Sequence, residues 1–380
     1  MEEKVLGFGV IGTGTYCDHY LRNLGPVYLN VRPVGCSDLN AEAAKAAAER
    51  WSIPKVYTTD EMMADPEVDI VLILTNPASH YNLTMQALKA GKHVYCEKPL
   101  ATSLEQANEI VEFAERKGLF VGAAPDTFLS PEFQTVRKLI DEGAIGRVIN
   151  VTANYVGPGA DLWHPNAGFL YKQGGGPALD MGPYFLTTLV SLLGPLDSLF
   201  CYANRGWNVR RIWERDVDVE VMTNYCAVLK FENGTIGNIN LTYDEWKSDL
   251  PGMELYGTDG VIIAPDPNTM MGPVRLLKAD EFKAAVNAKE LLPQKLEAIY
   301  GPETFGLFRE IDTVAPRIGN ERGAGLADMA KAIAEKRRPR VGADLCRHVT
   351  EAINAFNVSA ETGLPYKMTT TFTAPEPMEW

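Results

Sequence analysis

Short apolar runs and helical patterns alternate along the first 125 residues. The apolar runs cover residues 5–11, 31–37, 70–74, 93–96 and 120–124, and patterns typical of helices lie between them, over 16–24, 41–51, 81–90 and 104–117. Strands that are apolar throughout are buried on both faces, and their alternation with helices indicates a parallel sheet. Because such crossovers are right-handed, the pattern predicts a doubly wound α/β domain over residues 1–125.

The pattern changes after Pro125. A helix over 132–143 precedes strands predicted over 148–155, 198–204, 218–231, 235–243 and 253–257, and two late helices cover 325–337 and 343–362. The pair Asn233-Gly234 between two of these strands is a hairpin signal. Strands that follow one another without helices indicate a mixed or antiparallel sheet. We therefore predict a second, α+β domain over residues 126–380, with residues 204–218 as an exposed arm or loop.

Composition and charge narrow the classes of partner. The chain has 46% hydrophobic and 22% charged residues, which suits a globular protein. Its net charge of −13 argues against nucleic acid and against an anionic membrane surface as partners. No apolar stretch is long enough to span a bilayer, and the first residues are acidic, unlike a signal peptide. The six cysteines are scattered, as expected of free thiols in a reducing cytosol, so we expect a cytoplasmic protein.

A glycine-rich turn follows the first predicted strand and opens a helix. It contains five candidate cofactor-binding residues, Gly12, Thr13, Gly14, Thr15 and Tyr16. Glycines at this place allow a tight turn and bring the backbone close to a pyrophosphate, which the helix N-terminus attracts. Cys17 stands where a third glycine is usual, and its small size keeps close packing possible. Asp38 ends the next strand, where its carboxylate can bind a ribose 2′-hydroxyl and repel a 2′-phosphate, so NAD is favoured over NADP.

A second motif, Glu97-Lys98-Pro99, ends another parallel strand. Open α/β sheets bind their ligands at this edge, so we expect Lys98 to face the cofactor crevice. We also expect partial burial to lower the pKa of Lys98, which would let the side chain handle a proton.

These motifs together resemble the Gfo/Idh/MocA family, the glucose–fructose oxidoreductase and inositol dehydrogenase group. The resemblance rests on Gly12-Thr-Gly14, on the segments 75–80 and 97–99, and on Gly174-Gly-Gly-Pro-Ala-Leu-Asp180-Met-Gly-Pro-Tyr184. It implies a Rossmann domain followed by a domain with a large, mostly antiparallel, open-faced sheet, and a dimer or tetramer. It also implies nicotinamide in the cleft, hydride exchange with a sugar or polyol carbon, and a catalytic role for Lys98. The residues that the resemblance assigns to the cofactor surface are Thr75, Asn76, Pro77, His80, Glu97 and Lys98.

Asp180 and Tyr184 are four residues apart and share one face of a predicted helix. Family members usually carry a histidine where this chain has Tyr184, and a tyrosine there also occurs in the group. A phenol beside a lysine cation is expected to have a lowered pKa and to exchange a proton. In this hypothesis Lys98 polarises the reacting oxygen, Tyr184 exchanges the proton and Asp180 orients Lys98 or binds a neighbouring hydroxyl. Whether Lys98 or Tyr184 is the base stays open.

Other polar and aromatic residues are candidates for contacting the substrate. They are Asp126 after the last Rossmann strand, and Trp163, His164 and Asn166 in a loop, with Arg322 as a further candidate. An acidic Asp126 suits a neutral polyhydroxyl compound, and an indole ring can stack on a sugar face. The five histidines show no metal-binding spacing, so no metal site is predicted.

The sequence thus predicts an NAD-dependent dehydrogenase that acts on a secondary alcohol of a sugar, glycoside or cyclitol. Two alternatives stay open. One is an enzyme of the same family that cleaves glycosides by oxidation, elimination and reduction with NAD held throughout. The other is a non-catalytic NAD-binding sensor.

Overall fold

A computed structural model describes residues 5–162, 164, 167–316 and 322–379. Its first sheet contains the strands β1 (Leu6–Ile11), β2 (Val31–Ser37), β3 (Lys55–Val56), β4 (Ile70–Ile73), β5 (His93–Cys96) and β6 (Val121–Ala123). All pairs are parallel, in the order β3-β2-β1-β4-β5-β6. This is the dinucleotide-binding order, whose ligand crevice opens where the order reverses, between β1 and β4.

The helices of this first domain connect the strands. They are α1 (Thr15–Leu21), α2 (Ala41–Trp51), α3 (Thr59–Ala64), α4 (Pro77–Lys89) and α5 (Leu104–Lys117). Local sequence sets their ends: the Asn40 side chain accepts hydrogen bonds from the first turn of α2, and Gly118 adopts the left-handed conformation that ends α5. Every residue of β1 and β4 is buried, as the apolar runs predict.

A second sheet follows, and the predicted fold class is confirmed. Its strands are β7 (Val148–Val156), β8 (Leu196–Asn204), β11 (Asn224–Phe231), β12 (Ile236–Thr242), β13 (Met253–Gly257), β14 (Gly260–Ala264), β15 (Val274–Lys278), β16 (Arg309–Ile311) and β17 (Tyr366–Lys367). Their order is β16-β15-β14-β13-β7-β12-β11-β8-β17, and within the described chain every pair except β7–β12 is antiparallel. The side chains of β11 alternate between buried and exposed or half-buried, so one face of the sheet packs inward and the other is open.

The helices of the second half are α6 (Pro131–Asp141), α7 (Pro177–Asp180), α8 (Gly182–Leu193), α9 (Ala279–Asn287), α10 (Leu292–Tyr300), α11 (Ala324–Glu335) and α12 (Ala343–Thr362). Helix α12 packs against α8 and β8 and also against α5 and β6 of the first domain. It therefore joins the two sheets. None of the helices in the described residues has the length and apolarity needed to cross a membrane.

The prediction of an exposed arm over 204–218 gains detail in the structure. Strands β9 (Val209–Ile212) and β10 (Arg215–Asp218) pair as an antiparallel hairpin, and Trp213 in the turn has a positive φ of 55°. The strand predicted over 218–231 begins only at Asn224, because Asp218 ends the hairpin. Sequence patterns also missed β14, β15, β16, α9 and α10.

Candidate active site

The glycine-rich turn leaves room for a ligand above the first sheet. Gly12 has a φ of +96°, and a Cβ there would lie 2.9 Å from the carbonyl of Leu74, so the turn requires glycine. A Cβ on Gly14, in contrast, would meet nothing within 4 Å. No side chain caps the start of α1. The open space beside Gly14 and the uncapped backbone N–H groups fit a pyrophosphate.

Asp38 lies at the end of β2 beside this turn. One carboxylate oxygen accepts hydrogen bonds from the Thr13 backbone N–H (2.7 Å) and hydroxyl (3.0 Å), and the other accepts one from the Asn40 N–H (2.9 Å). Burial alone would raise the pKa of Asp38, but these hydrogen bonds outweigh it and lower the pKa. The carboxylate is therefore ionised at neutral pH.

The segment that opens α4 contains one buried and several accessible residues. Asn76 is exposed, and Thr75 and Pro77 are half-buried at the crevice. His80 is fully buried, with its ring nitrogens 2.8 Å from the Pro99 carbonyl oxygen and 3.0 Å from that of Thr75. The expectation that His80 lines the cofactor surface is therefore wrong, because the imidazole joins the loops that follow β4 and β5.

Glu97 fixes the backbone of the residue that follows it. Its carboxylate accepts hydrogen bonds from the buried Tyr20 hydroxyl (2.8 Å) and from the Lys98 backbone N–H (3.0 Å). Both oxygens of this buried side chain thus have partners inside the protein. Glu97 holds the strand end from which Lys98 projects.

Lys98 and Asp180 form a close ion pair between the two domains. The Lys98 ammonium donates to the Asp180 carboxylate (2.6 Å) and to the Asp180 backbone carbonyl (2.8 Å). Burial by itself would lower the pKa of Lys98, but the charge and hydrogen bond of Asp180 outweigh it and raise the pKa. The expectation of a lowered lysine pKa is therefore wrong, and the side chain is held as an ammonium ion.

Asp180 is held from a second side by Tyr243. The Tyr243 hydroxyl donates to the other Asp180 carboxylate oxygen at 2.6 Å, from the residue directly after β12. Burial would raise the pKa of Asp180, but Lys98, the Tyr243 hydrogen bond and the charge of His164 lower it. The carboxylate is thus fixed as an anion between an ammonium and a phenol.

Tyr184 lies beside this pair on α8. It is buried, and its hydroxyl is 3.0 Å from the hydroxyl of Tyr16, on the helix that follows the glycine-rich turn. Two cations lie over its ring, the Lys98 ammonium at 5.4 Å and the Arg322 guanidinium carbon at 5.1 Å from the centroid. Burial, together with Tyr16 and Glu97, nevertheless raises the pKa of Tyr184 well above its usual range, against the opposing charge of Arg322. The expected lowering of the phenol pKa is therefore wrong.

The predicted substrate residues divide into three cases. Asp126 is fully buried and accepts hydrogen bonds from the Gly323 and Gly325 N–H groups (2.9 Å each), so the expectation that it faces the substrate is wrong. His164 is half-buried and close enough to lower the pKa of Asp180, which places it beside the site. Trp163 and Asn166 lie outside the described residues.

Sequence reasoning missed the role of Tyr243 and gave too little weight to Arg322. The position of Tyr243 at the end of the strand predicted over 235–243 was the available signal, since strand ends often carry functional side chains. In chemical terms the site combines an ammonium with two hydrogen bonds to Asp180, a neutral phenol, and an adjacent crevice that fits a dinucleotide. Such groups can hold a carbonyl or alcohol oxygen and exchange a proton with it.

Comparison with known proteins identifies the class and the family of this chain. Residues 6–124 match the model described as "Oxidoreductase family, NAD-binding Rossmann fold", and residues 133–263 match the "GFO/IDH/MocA C-terminal domain". The protein is thus an oxidoreductase with an NAD-binding Rossmann domain. The chain belongs to the Gfo/Idh/MocA family, which confirms the resemblance found in the sequence.

Relatives and solved structures agree with this assignment. The 1,5-anhydro-D-fructose reductase of Ensifer adhaerens is 31% identical over 255 residues, covering 65% of this chain and 73% of that protein. The trans-1,2-dihydrobenzene-1,2-diol dehydrogenase of Bos taurus is 28% identical, covering 73% of this chain and 79% of its own. A structure of levoglucosan dehydrogenase with NADH and levoglucosan has the same fold, with a TM-score of 0.76 at 21% identity over 95% of this chain and 98% of that one.

Proposed function

We propose that this protein is an NAD-dependent dehydrogenase that interconverts a secondary alcohol and a ketone on a sugar, glycoside or cyclitol. The observation that carries the proposal is the convergence of Lys98, Tyr184 and Tyr16. Tyr16 belongs to the helix after the glycine-rich turn, and its hydroxyl touches that of Tyr184. The proton-exchanging phenol therefore lies next to the dinucleotide crevice.

The substrate class draws support from the relatives. Their names include an anhydrofructose reductase, inositol 2-dehydrogenases and dihydrodiol dehydrogenases, and each name denotes an enzyme of small hydroxylated or carbonyl compounds. The site of this chain offers polar groups for hydroxyls, including His164 beside Asp180. The expectations for Trp163 and Asn166 stay part of this proposal.

Lys98, Tyr184 and Asp180 have different roles in the proposed reaction. Bound nicotinamide dinucleotide supplies or accepts the hydride. The Lys98 ammonium has three N–H groups, of which two bond to Asp180, and the third is available to a substrate oxygen. This donor stabilises negative charge on that oxygen as it develops. Tyr184 gives its hydroxyl proton to the oxygen during reduction and takes it back during oxidation, and Asp180 keeps the ammonium charged and in place.

The raised pKa values support a division of roles between Lys98 and Tyr184. A lysine that keeps its proton suits the role of oxygen-binding cation, and a phenol that keeps its proton suits the role of proton donor. The resting site thus holds its proton on the phenol, which suits it to receive a carbonyl compound directly. For oxidation, Tyr184 must first lose its proton.

We also propose that the cofactor is NAD in preference to NADP. An ionised Asp38 accepts hydrogen bonds from ribose hydroxyls and repels a 2′-phosphate. Replacing Asp38 with serine should lower kcat/KM for NAD by about 10- to 100-fold, since a hydrogen bond to a charged group contributes about 1.5–3 kcal/mol. Activity with NADP should rise or stay unchanged, and steady-state kinetics with each dinucleotide give the ratio of the two kcat/KM values.

The matched control is Asp38→Asn, which keeps an acceptor for the Thr13 N–H but removes the charge. This variant should no longer repel NADP, and its kcat/KM for NAD should fall less than that of Asp38→Ser. An unchanged preference in both variants would show that Asp38 does not select the cofactor.

The activity itself is tested by NADH formation on a panel of sugars, glycosides and inositols with NAD and NADP. Production of NADH with one carbohydrate class supports the dehydrogenase. Glycoside cleavage with retained NAD and no net NADH would contradict the dehydrogenase and support the enzyme that cleaves glycosides by oxidation, elimination and reduction. Firm NAD binding without turnover on any compound would favour the non-catalytic sensor.

We further propose that the open face of the second sheet is covered in a homodimer or homotetramer. Tyr202 on β8 is 67% exposed, Val228 on β11 is 55% exposed, and Phe200 packs edge-on against Tyr202. An apolar cluster of this kind marks an interaction surface.

We also propose that the protein works in a reducing cytosol. The six cysteines are all free thiols, which suits that compartment.

Placing a charge in the apolar cluster of the open face should separate the subunits. Val228→Asp is expected to shift the protein to a smaller assembly in light scattering coupled to size exclusion, because a carboxylate would be buried in the interface. Val228→Thr keeps the branched shape and should leave the assembly unchanged. A monomeric wild-type protein, or an Asp variant with the parent mass, would contradict the proposal.

A further inference from the structure

We propose that Arg322 is a positioning residue that stabilises the Tyr184 phenolate left when the phenol gives its proton to the substrate oxygen. The catalytic part of this inference rests on the proposed function. Its electrostatic part concerns two side chains of the protein alone and is tested without substrate or cofactor.

The placement of Arg322 is specific. It is 6% exposed, and its guanidinium carbon lies 5.1 Å from the centroid of the Tyr184 ring. One terminal nitrogen, Nη2, donates to the Asn268 backbone carbonyl (3.2 Å) and side-chain oxygen (3.0 Å). The other, Nη1, is buried and has no hydrogen-bond partner in the part of the chain that the structure describes. Asn268 thus fixes the guanidinium while one of its donors stays unused.

The charge of Arg322 also lacks a close counter-ion. Among the described residues no carboxylate lies within ion-pair distance of it. Arg210, another buried arginine, pairs with Asp161 (2.8 Å) and Asp244 (3.0 Å). The Lys98 charge is likewise balanced by Asp180 at 2.6 Å. Removing a cation from water without a partner is costly, so a buried guanidinium without an ion pair needs another explanation.

The groups that surround the Tyr184 phenol supply that explanation. They are Tyr16 on α1, Glu97 and Lys98 after β5, and Arg322. Lys98 is paired with Asp180 on α7, and the Arg322 charge itself interacts with His19, Asp126 and Glu97. Tyr16 and Glu97 raise the pKa of the phenol, and Arg322 lowers it. Lys98 is already neutralised by Asp180. Asp126 and Glu97 also act on the Arg322 charge but lie beyond ion-pair distance, so Arg322 is the cation over the Tyr184 ring that has no ion pair of its own among the described residues.

The proton and the hydride reach the substrate from different groups. During reduction the Tyr184 O–H bond breaks, its proton forms the new hydroxyl on the substrate oxygen, and the electron pair stays on the Tyr184 oxygen. The hydride that the carbonyl carbon receives comes from the bound dinucleotide. Oxidation reverses each transfer. In both directions the phenolate has a guanidinium beside its ring.

The direct test titrates Tyr184 in the protein without ligands. Fluorotyrosine, whose phenol ionises at lower pH, is incorporated throughout, and the Tyr184→Phe variant assigns its fluorine resonance. Arg322→Gln should raise the titration midpoint by about one to three pH units, the usual effect of removing an opposite charge at this range. The midpoint in Arg322→Lys should stay closer to that of the parent protein. The control Arg338→Gln changes an exposed arginine and should have the same midpoint as the parent.

Kinetics give the second readout. Arg322→Gln should lower kcat for oxidation by about 10-fold or more with little change in KM, and the rise of the oxidation rate with pH should move to higher pH. Arg322→Lys should restore most of this loss. If the Gln variant does not fold, Arg322→Met serves as the neutral variant.

An unchanged midpoint in a folded neutral variant would overturn the inference. So would an Arg322→Lys variant with the same raised midpoint as the Gln variant, because charge would then not be the cause. If the midpoint moves while no carbohydrate is turned over, Arg322 still acts on Tyr184 and the proposed function is what fails.

Discussion

Replacing Lys98 with alanine should lower kcat by about 10²–10³-fold while the dinucleotide still binds. The loss is that of a preorganised donor to a developing oxyanion, which has this size in other enzymes. The ammonium is held at the substrate end of the crevice by two bonds to Asp180. The glycine-rich turn and Asp38 lie elsewhere and are untouched by the substitution. Steady-state turnover and calorimetric NAD affinity measure the two effects separately.

The control for this prediction concerns the carboxylate that the substitution leaves without its ion pair. The Asp180 side chain is 29% exposed and keeps the Tyr243 hydrogen bond, so the loss of stability should be smaller than the about 3–5 kcal/mol expected of a fully buried unpaired charge. The double variant Lys98→Ala with Asp180→Asn removes both charges and should recover stability without recovering turnover. Near-parent turnover in either variant would remove Lys98 from the mechanism.

Replacing Tyr184 with phenylalanine should lower kcat by about 10²–10⁴-fold, the contribution of a positioned proton donor. The ring remains, so its packing beneath Lys98 and Arg322 is kept and KM should change little. The pKa of Tyr184 lies well above its usual range, so the phenolate fraction grows about tenfold with each pH unit through the neutral region. The parent's oxidation rate should rise with pH accordingly, and this dependence should disappear in Tyr184→Phe.

Tyr16→Phe is the matched control, because it removes the neighbouring hydroxyl at 3.0 Å and leaves Tyr184 intact. Tyr16 is 38% exposed, so water can replace the lost hydrogen bond. Its effect on kcat should be far smaller than that of Tyr184→Phe. Equal losses in both variants would mean that the pair acts as a unit, and that Tyr184 alone is not the donor.

Sequence patterns predicted the first domain well because its signals are local. Most of its strands are apolar runs, the helices α2, α3 and α5 begin at a side-chain cap, and the glycine-rich turn follows directly from β1. Lys98, Asp180 and Tyr184 could be named as a set from the family resemblance. Sequence alone did not determine their protonation, since the pKa of Lys98 depends on how closely Asp180 approaches from another domain.

The errors share a physical cause, which is contact between distant segments. Asp126 looks like an accessible strand-end residue, yet its carboxylate accepts bonds from Gly323 and Gly325, almost two hundred positions later. Burial of His80 depends likewise on the path of the chain at Pro99. No periodicity reveals such partners, because each is fixed by packing of whole elements.

Helix α12 contacts both sheets, and the Cys346 sulfur accepts a hydrogen bond from the Ala123 N–H of β6 at 3.2 Å. The last third of the chain is thus part of the structural support of the nucleotide half. Exchanging Rossmann domains among relatives at the connection near Pro125 would therefore separate β6 from the helix that packs on it. A functional chimera needs the residues of α11 and α12 that contact the first domain to come from the same parent as that domain.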